Sequence, residues 1–255
     1  MEIPYEKTMV EIFRWRVNKS GNNVAHKFEE KETTFNELDS FSNKVAQGLL
    51  EEGCKPDSRV AYLGKNSDIF FEFMYGTIKS RTVTVGVNWR LAPPEVAFIL
   101  NDSSSEILFV GPEFFGLIEE IKDEIPSVRK IITVGGHHEE WEDYTQWRDA
   151  NVDEDPMLES TGDDDVIQLY TSGTTGHPKG VQLTNDNFSA CFIVNEEAMY
   201  RDIEKIAELF TANSTIITMI DMMTKSLHNI FDETSPTQCS QTGDVNPEPE
   251  VVTSF

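Results

Sequence analysis

The sequence predicts an α/β protein built on a mainly parallel, helix-covered sheet, and three observations predict it. Between residues 33 and 134, runs with strand periodicity alternate with runs of helical periodicity at the spacing of β–α–β units. The chain has 255 residues, 38% of them apolar, enough for a packed core and one or two domains. A Gly/Ser/Thr-rich loop over 171–180 then joins two further strand-like runs.

Taken in order, Thr34 and Glu37 have capping-box spacing, and Leu38, Phe41, Val45 and Leu49 recur at three- and four-residue steps until Gly53 supplies a stop. Arg59 to Leu63 reads as a strand. Ser67 is placed to cap a helix carrying Phe70, Phe73, Met74 and Thr77. Thr82 to Val87 is the next strand, and Pro93 sits where the first turn of a helix tolerates it, ahead of the stripe Val96, Ile99 and Leu100. Strands at 107–110 and 131–134 bracket a helix over 114–124. Val166 to Tyr170 and Val181 to Thr184 are the strands on either side of the Gly/Ser/Thr loop.

Residues 135–165 hold twelve acids and one base, Arg148, and read as a solvated connector in which Trp141, Tyr144 and Trp147 pack one short helix. An EF-hand starting at Asp149 fails, because Glu154 stands where the turn glycine belongs and Ser160 where the bidentate glutamate belongs. His137-His138 lacks partners at metal spacing, so no metal site is assigned. The formal net charge of −24 opposes nucleic acid and anionic lipid, so an anionic ligand needs local donors. Cys54, Cys191 and Cys239 have neither the count nor the spacing of a disulfide framework and read as small buried hydrophobes. With no signal-like amino terminus and no apolar run of transmembrane length, a cytoplasmic location is expected.

The loop Thr171-Ser172-Gly173-Thr174-Thr175-Gly176-His177-Pro178-Lys179-Gly180 has the composition of a phosphate cradle. Gly173, Gly176 and Gly180 let the backbone approach a ligand or take positive φ, so that successive N–H groups converge on an anion. Ser172, Thr174 and Thr175 add hydroxyl donors, and Lys179 a mobile positive charge. It is not a Walker loop, since Gly180 follows Lys179 where Ser or Thr is required.

Tyr-Thr-Ser-Gly-Thr-Thr-Gly-x-Pro-Lys-Gly over 170–180 closely resembles the phosphate-loop signature of the adenylate-forming superfamily, which includes acyl-CoA synthetases, luciferases and peptide-synthetase adenylation domains. Ten fixed positions coincide by chance with odds below about 10⁻⁹ at average residue usage. Upstream, Thr34-Phe35-Asn36-Glu37-Leu38-Asp39, Asn43, Gly53, Asp57 to Ala61, Asn66-Ser67, Asn88-Trp89-Arg90-Leu91 and Phe98 to Asp102 stand in the order seen in long- and medium-chain fatty acyl-CoA synthetases.

The resemblance implies a reaction in which a fatty carboxylate attacks the ATP α-phosphate to give an acyl-adenylate and pyrophosphate, Mg²⁺ balancing charge, before coenzyme A displaces AMP. It also implies that Thr171, Ser172, Gly173, Thr174, Thr175, Gly176 and Lys179 hold the β- and γ-phosphates. Family members are about twice as long, and after Phe192 the resemblance ends. Residues 1–192 are therefore expected to form an incomplete N-terminal part of the adenylate-forming large domain. Residues 193–231 then read as an unassigned helical segment and 232–255 as a disordered tail. The adenine- and ribose-binding residues and the C-terminal-domain lysine have no counterparts in this chain, so no catalytic residue is assigned. Two readings follow: a truncated acid–thiol ligase, or a nucleotide- or partner-binding pseudoenzyme. An exposed sheet edge is expected to favour oligomers or partners.

Overall fold

The computed structural model describes residues 7–171, 178–193 and 238–239. Helix α1 (Met9–Ser20) opens the described chain, its first turn closed by the Glu11 carboxylate, which accepts from the Thr8 N–H and hydroxyl at 3.0 Å each. A hairpin follows, β1 (Val24–Phe28) and β2 (Lys31–Thr34), paired antiparallel. Neither α1 nor this hairpin is among the elements expected from the sequence.

Helix α2 (Phe35–Glu51) begins on the anticipated capping box: the Glu37 N–H donates to Thr34 Oγ1 at 3.2 Å, and the Thr34 N–H donates to Glu37 Oε2 at 2.8 Å. It ends where Gly53 takes φ +82° and donates to the Leu50 carbonyl at 2.9 Å. Strand β3 (Arg59–Leu63) and helix α3 (Asp68–Lys79) come next. Ser67 is the residue before α3 as expected, but its hydroxyl does not cap the helix; it lies 3.3 Å from the Tyr62 hydroxyl. The chain continues through β4 (Val83–Gly86), α4 (Pro93–Asp102), β5 (Ile107–Val110), α5 (Phe115–Ile121) and β6 (Lys130–Thr133). Short 3-10 turns flank α5, so the helix expected over 114–124 is α-helical only in its middle. The two-residue strand β7 (Glu142–Asp143), α6 (Tyr144–Asp149), β8 (Asp165–Thr171), β9 (Lys179–Thr184) and α7 (Asn185–Ile193) complete the body.

The main sheet has seven strands in the order β7-β6-β5-β3-β4-β8-β9, all neighbours parallel except β8 and β9. From β3 the chain moves one way to β4 and then back across to β5. Right-handed crossovers therefore place α3 and α4 on opposite faces. The buried side chains divide accordingly. Tyr62, Phe109, Ile132, Ile167 and Leu169 pack with Phe13, Leu38, Val45, Phe73 and Trp147 on one face. Ala61, Leu63, Val85, Leu108, Val110 and Tyr170 pack with Val96, Ile99, Leu100, Ile118 and Ile121 on the other. Strands buried on both faces read as near-continuous apolar runs, which is why β3 and β5 stand out in the sequence.

The acid-rich segment after α6 departs from expectation. It is tied down residue by residue. Arg14 makes a bidentate pair with Asp155 at 2.6 and 2.8 Å, and Arg81 one with Asp164 at 2.8 and 2.9 Å. Asp153 accepts from Ser40 Oγ at 2.6 Å and Asn43 Nδ2 at 3.0 Å. In α6 itself Arg148, the single base of residues 135–165, reaches Glu72 at 2.7 Å, as does the Tyr144 hydroxyl. Glu72 is 1% exposed, and burial raises its pKa against these two partners. Beside this segment Lys79 is buried, donating to Asp39 Oδ1 at 2.6 Å and Asn43 Oδ1 at 2.5 Å.

Cys54 is buried as expected, while the side chains of Cys191 and Cys239 lie outside the described residues. Most of 193–255 likewise lies outside them. Within it, β10 (Gln238–Cys239) pairs in parallel with β1. No described helix is long and apolar enough to cross a membrane.

Candidate functional site

Because β3, β4, β5, β6 and β8 run parallel, their carboxyl ends share one edge of the sheet, and in open α/β sheets ligands bind at that edge, near the point where strand order reverses. Thr171 is the last residue of β8, next to β4, where the reversal lies. The antiparallel register pairs Thr171 with Lys179, so both ends of the Gly/Ser/Thr loop are fixed at the carboxyl edge. Thr171 is half-buried and Lys179 exposed. Ser172, Gly173, Thr174, Thr175 and Gly176 lie outside the described residues. The structure thus brings together two of the seven expected site residues.

Immediately below that pair, Tyr170 stands opposite Gly180. Gly180 is not among the described residues with positive φ. A Cβ there would lie 2.5 Å from Gln168 Nε2 and 3.1 Å from the Tyr170 ring. It thus does not take the positive φ allowed for in the sequence reading, and its missing side chain makes room for Tyr170 and Gln168. The Tyr170 hydroxyl donates to Asp102 Oδ2 at 2.6 Å and accepts from Gln168 Nε2 at 3.0 Å. Gln168 Oε1 in turn accepts from Arg59 Nε at 3.1 Å, and Arg59 also pairs with Asp165 at 3.1 Å. Burial first, and then the Asp102 carboxylate, push the Tyr170 pKa up, so it stays a protonated donor at neutral pH. Sequence reasoning assigned no role to Gln168, Asp102 or Arg59. Polar residues at alternate positions of a run otherwise buried, Gln168 and Tyr170, were the available signal.

Following β4, the Asn88–Leu91 turn is held by the Arg90 N–H donating to Asn88 Oδ1 at 3.0 Å, with the Arg90 guanidinium 4.3 Å from the Trp89 ring centre. On the far side, β9 ends the sheet among the described residues. Lys179 to Gln182 are exposed, Val181 at 36%.

Comparison with known proteins identifies the family and the fold. The AMP-binding enzyme family model matches residues 13–226, so the likeness runs past Phe192, where the sequence reading ended it. The chain is 38% identical over 188 residues to the fatty acid–[acyl-carrier-protein] ligase ScoC of Streptomyces coeruleorubidus, covering 73% of this chain and 35% of that protein. It is 37% identical over 154 residues to the long-chain-fatty-acid–CoA ligase FadD13 of Mycobacterium tuberculosis, covering 60% of this chain and 30% of that one. Among solved structures, the N-terminal domain of FACL13 from Mycobacterium tuberculosis aligns with a TM-score of 0.64 at 30% identity, over 70% of this chain and 44% of that chain. The anthranilate CoA ligase AuaEII in complex with anthranoyl-AMP aligns with a TM-score of 0.68 at 28% identity, over 72% of this chain and 36% of that chain. The chain thus spans about a third of the length of the curated relatives it matches. Its fold is that of their N-terminal domain, and it belongs to the AMP-binding enzyme family of acyl ligases.

Proposed function

We propose that this chain supplies the triphosphate- and pyrophosphate-holding part of an ATP-dependent acid–thiol ligase acting on a fatty carboxylate. The observation that carries it is the pairing of Thr171 with Lys179 at the carboxyl edge of the parallel sheet, which fixes the two ends of the Gly/Ser/Thr loop at the edge where such folds bind ligands. In that reading Thr171, Ser172, Gly173, Thr174, Thr175 and Gly176 present hydroxyl and backbone donors to the β- and γ-phosphates, and Lys179 adds a point charge that the molecule's overall charge of −24 does not supply. Mg²⁺ enters with the nucleotide, and coenzyme A is the thiol of the second step. The fatty acid is the substrate class suggested by the two ligase relatives.

Catalysis needs the carboxylate, the α-phosphate and the base fixed together. A misplacement of about 1 Å can cost on the order of 10²-fold. The chain alone is therefore expected to bind phosphate without turning over. The test is calorimetric titration of pyrophosphate, Mg·ATP and Mg·GTP into the protein. Binding of all three with little base preference, weakened about tenfold or more by Lys179→Ala, is expected. Absence of binding, or indifference to Lys179→Ala, overturns the reading. Carboxylate-dependent ATP–pyrophosphate exchange by the chain itself would show a complete enzyme.

A further inference from the structure

We propose that Tyr170 and Asp102 are positioning residues for the loop: the hydrogen-bonded chain Asp102–Tyr170–Gln168–Arg59 fixes the β8–β9 register and so holds Lys179 opposite Thr171. The inference rests on the phosphate-binding reading above for its functional meaning, and on the structure alone for its geometry.

Strand β9 needs such a device. It pairs only with β8 among the described residues, and from Lys179 to Gln182 its side chains are exposed. Burial on its two faces therefore does little to hold the loop end of the hairpin. Leu183, which packs against the apolar cluster, lies at the other end of the strand. At the loop end the fixing contact is the Tyr170 ring, seated in the space that Gly180 leaves by lacking a Cβ.

The ring is itself immobilised from outside the hairpin. Its hydroxyl donates to Asp102 at 2.6 Å, the short distance of a charge-assisted bond, and Asp102 is the last residue of α4. Gln168, two residues earlier on the same face of β8, donates to that hydroxyl and accepts from Arg59, which reaches across β4 from β3. Four residues from three elements thus converge on the position one step below the Thr171–Lys179 pair. Polar networks of this kind contribute specificity of arrangement when every member is satisfied. A slip of one residue in β9 would turn Lys179 to the opposite face of the sheet, because side chains alternate with period two.

The test uses Tyr170→Phe, Asp102→Ala and Asp102→Asn in the full chain, with two readouts. The first is hydrogen exchange of the backbone amides without ligand. Tyr170→Phe and Asp102→Ala are expected to speed exchange at Thr171 and Lys179–Val181 while β3, β5 and β6 and the melting temperature stay near wild type. Asp102→Asn, which keeps an acceptor, is expected to restore protection. Unchanged exchange at these amides overturns the proposal, as does a uniform rise over the whole sheet, which is the signature of general destabilisation.

The second readout is pyrophosphate affinity, expected to fall about tenfold in Tyr170→Phe and Asp102→Ala and to recover within about twofold in Asp102→Asn. Wild-type affinity in Tyr170→Phe together with a loss in Lys179→Ala overturns the positioning role and leaves the phosphate site standing. Altered exchange in a protein that binds no pyrophosphate upholds the register device and overturns the phosphate reading.

Discussion

The acidic connector between α6 and β8 and the edge strand β9 are both polar, yet the structure uses them in opposite ways. Asp153, Asp155 and Asp164 each meet donors from α1, α2 or the turn after α3, so a segment that reads as solvated is a strap across two helices and that turn. β9 has the alternation of an ordinary strand, and its loop-end side chains are left facing outward. Charge density alone is therefore a poor guide to solvation. What decides it is whether complementary groups elsewhere in the chain are brought within reach.

The largest expected effect lies in α6, the helix that leads into the connector. Arg148→Met removes the guanidinium beside Glu72, leaving a buried carboxylate with only the Tyr144 hydroxyl. A loss of about 3–5 kcal/mol in denaturant unfolding is expected. A loss under about 1 kcal/mol would show that the anchor at the head of the strap is superficial and weaken the contrast with β9.

Acid separates the connector from the rest of the body. His26 is 2% exposed beside the Phe71 ring, and burial lowers its pKa from 6.5 to about 4, against the raising effect of Asp68 and Glu37. Between those values the unfolded chain takes up a proton that the folded chain refuses. Stability is therefore present above pH 6.5 and falls as pH drops towards 4, by on the order of 3 kcal/mol. His26→Leu should abolish that part of the pH dependence. The connector responds later. Burial raises the Asp155 and Asp164 carboxyls, but hydrogen bonds from Arg14 and Arg81 outweigh it and leave both below the ordinary range. Their contribution is present above the unfolded carboxylate pKa and lost only below about pH 4. Hydrogen exchange across residues 149–165 should show no loosening until then; loosening near pH 6 would refute the ion-pair account.

The smallest effect is expected at the edge. Val181→Lys should change stability by less than about 0.5 kcal/mol, because Val181 is already 36% exposed. A larger loss would mean that another chain covers β9 in solution, and a concentration-dependent melt would identify that cover as a second copy.

Much of this was legible in the sequence, and the exceptions share a cause. The Thr34–Glu37 box, Gly53, Pro93 and the apolar runs of β3 and β5 are signals carried by neighbours along the chain. They mark element ends and doubly buried strands correctly. The connector's ion pairs, the Glu72–Tyr144–Arg148 cluster and the Asp102–Tyr170 bond join residues far apart in sequence, and no local pattern announces them. Of the candidate site, the loop's composition singled out Thr171 and Lys179, which the structure pairs at the end of the hairpin. The support beneath them was missed because Gly180 has the same letter whether it serves a ligand or a tyrosine ring. Helix α1 and the β1–β2 hairpin escaped because their buried members include Arg16, His26 and Thr33, which interrupt the apolar patterns that betray an element.

The pairing of Thr171 with Lys179 also bears on how such a chain can change over generations. Loop closure is forgiving: doubling a flexible loop costs only about 0.6 kcal/mol. Residues could be gained or lost between Thr171 and Lys179 with modest harm to folding. The strands on either side have no such latitude, since one residue inserted after Lys179 and before Gly180 would set a new side chain against Tyr170 and reverse the facing of everything from Gly180 to the end of β9. The hairpin therefore works as a ruler whose stem must be inherited intact, while folding by itself sets no strict length for the span it measures.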